Sequence, residues 1–192
     1  MKKITIPALK REAFGKKESK AVRRSGLVPC VVYGGCETIH FSIDKKELKQ
    51  LIYTPNAYII DFDFGEGKIE QAVMREVQYH PVREQVLHID FFRVIPNKPA
   101  VVDIPVRLVG NSEGVKVGGK LSLSKRKLTV SGLAEYLPDE LVVDVTTLEL
   151  GKSIFVGDLK FDNLTLLNSP STAICAVKMT RAARGAAAAA EE

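Results

Sequence analysis

The chain has 192 residues, of which 45% are apolar and 27% charged, and its formal net charge is +5. A chain of this size can bury the core of one large domain or two small ones, and its ordinary composition argues against general disorder. Because no stretch reaches the roughly 18 apolar residues of a membrane span, and Pro7 and Lys10 interrupt any signal-like segment, we expect a soluble cytoplasmic protein without a membrane partner.

The first half of the chain predicts strands with two short helices. Apolar residues, alternating or continuous, indicate strands over residues 1–9, 27–32, 38–43, 58–64, 68–78 and 87–94. A turn at residues 65–67 joins two of these strands into a hairpin. One helix is predicted over residues 18–25 with Ala21 and Val22 turned inward, and another from the capping residue Asp44 to just before Pro55. This order favours a small mixed β-barrel or a strongly curled sheet over a βαβ fold.

The second half is predicted to be all-β. Strands are indicated over residues 101–109, 120–124, 126–131, 140–145, 153–156 and 173–178. Pro105 would confine the first of these to a sheet edge. Pro96 and Pro99 mark a domain boundary, and the Ala-rich ending has no period that buries anything. We therefore expect domains over residues 1–95 and 96–180, followed by a flexible tail over residues 181–192.

Positive charge is concentrated at the start of the chain. Residues 1–35 contain nine Lys or Arg and two acids, whereas residues 96–192 contain 12 basic and 11 acidic side chains. Within this region Lys16, Ser19 and Arg23 are spaced to share one face of the predicted helix, with Lys20 beside them. Such a face can hold phosphates, and Tyr33 at the end of the next strand can stack on a base. A solvated basic helix and a core tyrosine are the alternatives.

No catalytic or cofactor motif is present in the sequence. Phosphate-binding glycine loops and the GxSxG elbow are missing, and the histidines show no metal-ligand spacing. Cys30, Cys36 and Cys175 fit neither a zinc site nor a disulfide framework, and Cys30 and Cys175 fit better as small core residues in a reducing compartment. We predict no catalytic residue, no metal, no cofactor and no small-molecule substrate.

His88 and Asp90 are the one pair that invites a chemical interpretation. Two positions apart on a predicted strand, their side chains point to the same side, about 6.6–7 Å apart along the strand. Three readings stay open at this point. The pair can be an acid–base or metal pair of a phosphodiesterase, a structural pair, or a donor and acceptor for the edge of an RNA base.

Two segments resemble a known family. RRSGLVPCVVYGG (residues 23–35) and VQYHPVREQVLHIDFFRV (residues 77–94) are similar to the two signature stretches of bacterial large-subunit ribosomal protein twenty-five, which binds 5S ribosomal RNA. The second half resembles the C-terminal domain of that family's long form, called CTC or general stress protein, in EGVKVGGKL, LPDELVVDVTTLELGKSIFVGDL and SPSTAICAV. The resemblance extends to about residue 178.

The resemblance implies a fold, a partner and a set of contacts. The N-terminal domain would be a six-stranded β-barrel with short helices, similar to the anticodon-binding barrel of glutaminyl-tRNA synthetase, followed by a second all-β domain. It would bind the loop E region of 5S ribosomal RNA in the central protuberance, without catalytic activity. The family's RNA contacts fall on Arg11, Lys16, Ser19, Lys20, Arg23, Tyr33, Gln78, His88 and Asp90. Lys20 keeps a charge where a common variant has Arg, but lacks the bidentate fork.

A ribosome-bound location and further partners follow from the same resemblance. The C-terminal domain is expected to contact neighbouring ribosomal proteins or ribosomal RNA. Because the barrel is similar to a tRNA-binding domain, a tRNA-binding accessory factor is the alternative from the RNA-binding class. A metal-dependent phosphodiesterase that uses His88 and Asp90 is the alternative from the enzyme class.

Overall fold

The computed structural model describes residues 1–35, 37–65, 69–96 and 98–180. Cys36, the tip of the predicted hairpin at residues 66–68 and the predicted tail over residues 181–192 lie outside the described residues. The chain divides into two compact units. Unit 1 comprises Met1–Asp103 and Gly132–Asp139, and unit 2 comprises Ile104–Ser131 and Glu140–Glu192. The domain limits inferred from the sequence stay a prediction.

The described residues of unit 1 form seven strand segments of one sheet and two helices. The strands are β1 (Lys2–Pro7), β2 (Leu9–Lys10), β3 (Leu27–Tyr33), β4 (Ile39–Asp44), β5 (Tyr58–Asp63), β6 (Ile69–Tyr79) and β7 (Val86–Arg93). The helices are α1 (Lys16–Arg24) and α2 (Lys45–Ile52). All the elements predicted for the first half are present, and β5 and β6 pair antiparallel as the expected hairpin. The sequence pattern predicted a single strand over residues 1–9 where the structure has β1 and the short segment β2.

The sheet closes on itself at Ala8. Its strand order is β1-β5-β6-β7-β3-β4-β2, so β1 and β2 lie at opposite ends although one residue joins them in the chain. Ala8 donates its backbone N–H to the Asp63 carbonyl at the end of β5, 2.9 Å away, while Leu9 pairs with Ser42 of β4. Counted as one interrupted strand, β1 and β2 complete the predicted six-stranded barrel.

Aromatic rings fill the barrel interior. Phe41, Phe62 and Phe91 are fully buried, and their ring centroids lie 4.8–6.0 Å apart. Each such side chain contributes roughly 1.5–3 kcal/mol through removal of its apolar surface from water. Leu48 and Leu51 of α2 pack on the same core. Helix α2 begins as predicted, because the Asp44 side chain accepts the backbone N–H of Lys46 at 2.9 Å.

Helix α1, in contrast, lies on the barrel surface. None of its residues is buried. Ala21 is exposed, so the inward orientation predicted for Ala21 is wrong, whereas Val22 is half-buried. Ala21 and Val22 are the helix's two apolar residues, too few to form a stripe that can pack on a core. Polar contacts hold its end instead: Ser25 donates its hydroxyl to Val22, and Arg23 donates Nη1 to the Leu87 carbonyl of β7 at 3.3 Å.

Two sheets and a short helix make up most of the remaining chain. Its elements are β8 (Ala100–Val109), α3 (Glu113–Lys116), β9 (Lys120–Leu123), β10 (Lys127–Gly132), β11 (Leu141–Asp144), β12 (Ser153–Phe155), β13 (Leu164–Leu166) and β14 (Ala173–Lys178). One sheet has the order β11-β8-β10-β13 and the other β12-β14-β9. Leu108 of the first sheet and Cys175 and Val177 of the second share one core cluster. The mainly β fold expected from the sequence is confirmed, although β13 was not predicted.

The edge position expected for β8 is wrong. This strand lies between β11 and β10, despite Pro105. Val106 donates its backbone N–H to Arg126 on the β10 side, at 2.9 Å. Because neighbouring residues of a strand direct their N–H groups to opposite sides, the donor that Pro105 lacks would face β11. The pairing with β11 begins only at Val106, so the missing donor costs no ladder hydrogen bond.

Gly34 fixes the position of the chain directly after β3. Its φ of +101° is one that side-chain-bearing residues rarely adopt, and an added Cβ would lie 2.6 Å from the Phe92 ring. The same ring contacts Tyr33 edge-on, with the two centroids 5.7 Å apart. A glycine after Tyr33 therefore allows the neighbouring strands β3 and β7 to bring these two rings together.

We predict that Gly34→Ala lowers the free energy of unfolding by about 1–3 kcal/mol, because it adds backbone strain and displaces Phe92. The measurement is urea unfolding of the full chain. Gly26→Ala is the matched control, since Gly26 has a φ of +88° but nothing within 4 Å of an added Cβ. It should lose less stability than Gly34→Ala. Equal losses would show that the Phe92 contact is unimportant.

Candidate nucleic-acid interface

The outward face of β6, β7 and β3 carries four of the predicted contact residues. Gln78 is paired with His88 across β6 and β7, Asp90 of β7 lies beside Val31 of β3, and Tyr33 lies beside Phe92. The intervening β7 residues, Ile89 and Phe91, are fully buried in the barrel. Alternation along the strand therefore places His88 and Asp90 together on the outer surface, and the sequence predicted that they share one side.

His88 and Asp90 contact each other directly. The distance from His88 Nδ1 to Asp90 Oδ1 is 2.7 Å, and the side chains are 30% and 27% exposed. Because an ionised carboxylate only accepts, this hydrogen bond places a proton on Nδ1. In the neutral ring, Nε2 is then an acceptor. The two side chains thus form one oriented unit with its remaining polar atoms, Nε2 and Oδ2, available on the surface of the barrel.

The predicted contact residues on helix α1 differ in how far they are exposed to solvent. Lys16 and Lys20 are exposed, whereas Ser19 and Arg23 are half-buried. The hydrogen bond from Arg23 to Leu87 fastens the helix next to His88 on β7. A guanidinium has five N–H donors, so Arg23 can anchor the helix and still present donors to a phosphate. Its anchoring role was not foreseen from the sequence.

Arg11 lies directly after β2 and beside β4. Its backbone N–H is bonded to the carbonyl of His40 in β4 at 3.0 Å, and its Nη2 reaches the Ala13 carbonyl at 3.3 Å. Burial strongly raises the pKa of the nearby Cys30 thiol, and a backbone hydrogen bond from Ile89 opposes this. Asp90 raises and Arg11 lowers the same pKa, so both charges act on Cys30. Cys30 is an inert core residue, as predicted, between these two charged groups.

Phe14 and His40 were missed by the sequence reasoning. Their rings contact each other with centroids 4.7 Å apart, and Phe14 is 60% exposed. His40 pairs with Val31, whose other neighbour is Asp90, so His40 belongs to the same outward row. Its alternation with Ile39 and Phe41 was a usable signal for an outward side chain. Phe14 gave no signal, because it lies between β2 and α1 in an irregular segment.

The described residues offer little for metal chemistry. Within residues 1–35, 37–65, 69–96 and 98–180, no group of three or more His, Cys, Asp or Glu side chains is placed to hold a metal ion. In that same part of the chain, no helix is long and apolar enough to cross a membrane. The His88–Asp90 pair is thus two groups bonded to each other on a surface, flanked by a basic helix.

Comparison with known proteins identifies the family. Residues 6–91 match the model of the Ribosomal L25p family, and residues 99–181 match that of the C-terminal domain of ribosomal protein TL5. A protein of Azobacteroides pseudotrichonymphae named "Large ribosomal subunit protein bL25" is 45% identical over 185 residues, 96% of this chain and 97% of the relative. The chain belongs to the Ribosomal L25p family. The resemblance recognised in the sequence is confirmed.

Further relatives carry the same name. The protein of Bacteroides thetaiotaomicron is 47% identical over 171 residues, 89% of this chain and 87% of its own length. That of Porphyromonas gingivalis is 44% identical over 188 residues, 97% of this chain and 98% of its own length. Both are named large ribosomal subunit protein bL25. The similarity thus spans both units of the chain.

The structure brings some of the predicted contact residues onto one sheet face and places the others on neighbouring elements. Gln78, His88, Asp90 and Tyr33 share one sheet face, and Arg23 is bonded to the strand that carries two of them. Lys16, Ser19 and Lys20 follow on α1, and Arg11 lies beside His40. The part that each plays toward RNA stays a prediction.

We predict that Arg23→Ala lowers the free energy of unfolding by about 1 kcal/mol, because the hydrogen bond to Leu87 is lost. Lys20→Ala is the matched control, since it removes one charge from an exposed position of the same helix and should stay within about 0.5 kcal/mol. Urea unfolding of both full-length variants checks this. If the two variants were equally stable, Arg23 would have no anchoring role.

Proposed function

We propose that the chain is a structural constituent of the bacterial large ribosomal subunit that binds 5S ribosomal RNA at its loop E region, in the central protuberance. The observation that carries the proposal is the hydrogen-bonded His88–Asp90 pair, less than one-third exposed on the outward sheet face beside a basic helix. The names of its relatives support the ribosomal part. A ribosome-bound, cytoplasmic location follows from the same function.

The basic side chains supply affinity that does not depend on sequence. Lys16 and Lys20 are exposed on α1, Arg11 lies next to His40 of β4, and Arg23 is bonded to Leu87 of β7. Each phosphate that such a cation neutralises releases counterions, so binding weakens as salt rises. Ser19 can donate its hydroxyl to a phosphate as well. These contacts bring RNA to the surface and orient it.

The sheet face supplies selectivity. Double-stranded RNA presents base edges and 2′-hydroxyl groups in a wide, shallow minor groove, which suits short side chains on a flat surface better than a protruding helix. Gln78 offers an amide, the His88–Asp90 unit offers acceptors in a fixed orientation, and Tyr33 offers a hydroxyl and a ring edge. A carboxylate repels phosphates, so Asp90 belongs opposite a base amino group or a 2′-hydroxyl.

The alternative of a metal-dependent phosphodiesterase is not supported. Proteins of the Ribosomal L25p family are structural and not enzymes. A phosphodiesterase would need groups that hold a metal or activate water, whereas His88 and Asp90 use their nearest atoms on each other. Their hydrogen bond suits the pair instead to present polar atoms to RNA in a fixed orientation.

Unit 2 is assigned to contacts within the ribosome. Residues 99–181 match the C-terminal domain of ribosomal protein TL5, and the basic residues Lys125, Arg126 and Lys127 are all exposed. We assign to this unit the contacts with neighbouring ribosomal proteins or ribosomal RNA.

Titration of the full chain with 5S ribosomal RNA is the test of this function. We expect binding that is much tighter than to an unrelated RNA duplex of equal length, and a log–log plot of affinity against salt with a negative slope of several units. Competition with tRNA separates the two RNA-binding alternatives. Equal affinity for 5S ribosomal RNA and the unrelated duplex would refute the specificity, and displacement by tRNA at equal concentration would favour the accessory factor.

Asp90→Ala is expected to reduce the ratio of 5S to unrelated-duplex affinity by about ten-fold, because the acceptor is lost and His88 is released. Affinity for the unrelated duplex should stay equal or rise, since one negative charge is removed. Asp90→Asn is the control, because its amide oxygen still accepts from His88 Nδ1. The Asn variant should keep more of the ratio. Equal gains in affinity for both RNAs in Asp90→Ala would mean that Asp90 only repels.

A further inference from the structure

A groove of about 330 Å³ lies in unit 1 between α2 and the turn that joins β6 to β7. Its floor is apolar and includes Val28, Leu48 and Val86, of which the first two are fully buried. The volume falls at the lower end of the range for small-molecule sites. It therefore has room for a compact group, such as one nucleotide, and not for a helix or a duplex.

The rim of the groove is positively charged. Lys45, Lys49 and Arg83 line it against a single acid, Glu84. None of these four side chains has an ion pair among the described residues, although other charged residues of the chain do. The cations are therefore available to an anionic ligand from outside the chain.

An exposed aromatic ring completes the groove. Tyr53 lines it directly after the end of α2 and is 72% exposed, so the ring is not part of the core. Tyr79, itself 48% exposed, is close enough for Tyr53 to act on it electrostatically: partial burial raises the pKa of Tyr79, and Tyr53 raises it further. Packing in the core therefore does not account for the aromatic ring of Tyr53 at this position.

The turn that carries Arg83 is rigid. His80 Nδ1 accepts backbone N–H groups from both Val82 and Arg83 at 3.2 Å, and the His80 N–H is bonded to Gln85. Glu84 has a φ of +52°, a conformation rare outside glycine, and donates its N–H to the His80 carbonyl at 3.0 Å. Strain held in place by several hydrogen bonds is a feature of binding loops. The backbone at Arg83 is thereby held at the edge of the groove.

We propose that this groove binds an unpaired nucleotide of RNA, with its base against Tyr53 over the apolar floor and its phosphate between Lys45, Lys49 and Arg83. Aromatic rings beside cations are the chemistry by which proteins hold single-stranded nucleic acid, since every base has a face to stack. This contact goes beyond the proposed 5S function. It concerns an unpaired strand, whereas the outward face of β7 reads a paired one.

The sequence offers a direct probe, because the chain contains no Trp. Tyr53→Trp places a single fluorophore at the groove with little structural change, since the position is mostly exposed. The probe ligand is a single-stranded oligouridylate of about eight nucleotides, within the usual site size. We expect saturable quenching of the fluorescence of the Tyr53→Trp protein. The control is Tyr136→Trp, also at an exposed tyrosine of unit 1 but outside the groove, which should show weak or non-saturable quenching.

A second pair of variants tests the cations. In the Tyr53→Trp background, Lys49→Ala should weaken the affinity for oligouridylate by about five-fold, through the loss of one phosphate contact. Lys46→Ala is the matched control, because Lys46 is exposed on the same helix and does not line the groove. It should change the affinity by less than about two-fold.

Three results would overturn the proposal. They are equal quenching of the Tyr53→Trp and Tyr136→Trp proteins, equal effects of Lys49→Ala and Lys46→Ala, and displacement of the oligonucleotide by an equal charge concentration of polyglutamate. The last result would mean that the groove recognises acidic chains in general. None of them touches the proposed 5S function, which is measured separately through the Asp90 variants.

Discussion

Closure of the sheet at Ala8 is the constraint on which the rest of unit 1 depends. The first ten residues pair with β5 through β1 and with β4 through β2, so one segment joins both ends of the sheet. The closed sheet encloses the Phe41, Phe62 and Phe91 core and leaves its outer surface fixed. The closed sheet then fixes the relative positions of the side chains on that surface, although they do not pack in the core themselves.

The outer surface separates two tasks among neighbouring residues. Cations on α1 attract any polyanion, whereas the His88–Asp90 unit presents an acid that a polyanion alone would avoid. Arg23 holds the helix against the sheet, because it donates to the backbone of the strand that carries the pair. A residue first identified by its charge thus also connects the basic helix to the strand that carries the His88–Asp90 unit.

Much of this arrangement could be predicted from the sequence, and the failures have physical causes. Period-two alternation gave the common side of His88 and Asp90, and Asp44 marked the start of α2. Ala21 was placed inward because helical periodicity was assumed, whereas α1 packs through polar contacts. Pro105 suggested an edge, but its missing donor falls beyond the β11 ladder. The Phe14–His40 contact depends on an irregular segment, whose path no local pattern encodes.

The pairing of β3 with β7 has a consequence for the synthesis of this protein. The two strands that bring Tyr33 next to Phe92 are separated by about sixty residues of chain, and β1 must wait a similar length for β5. Contacts between such distant segments form slowly and only after both have been made. A nascent chain therefore displays the positive charge of residues 1–35 well before β7 can complete the sheet. The outward face that carries His88 and Asp90 forms only when β7 emerges and the barrel closes.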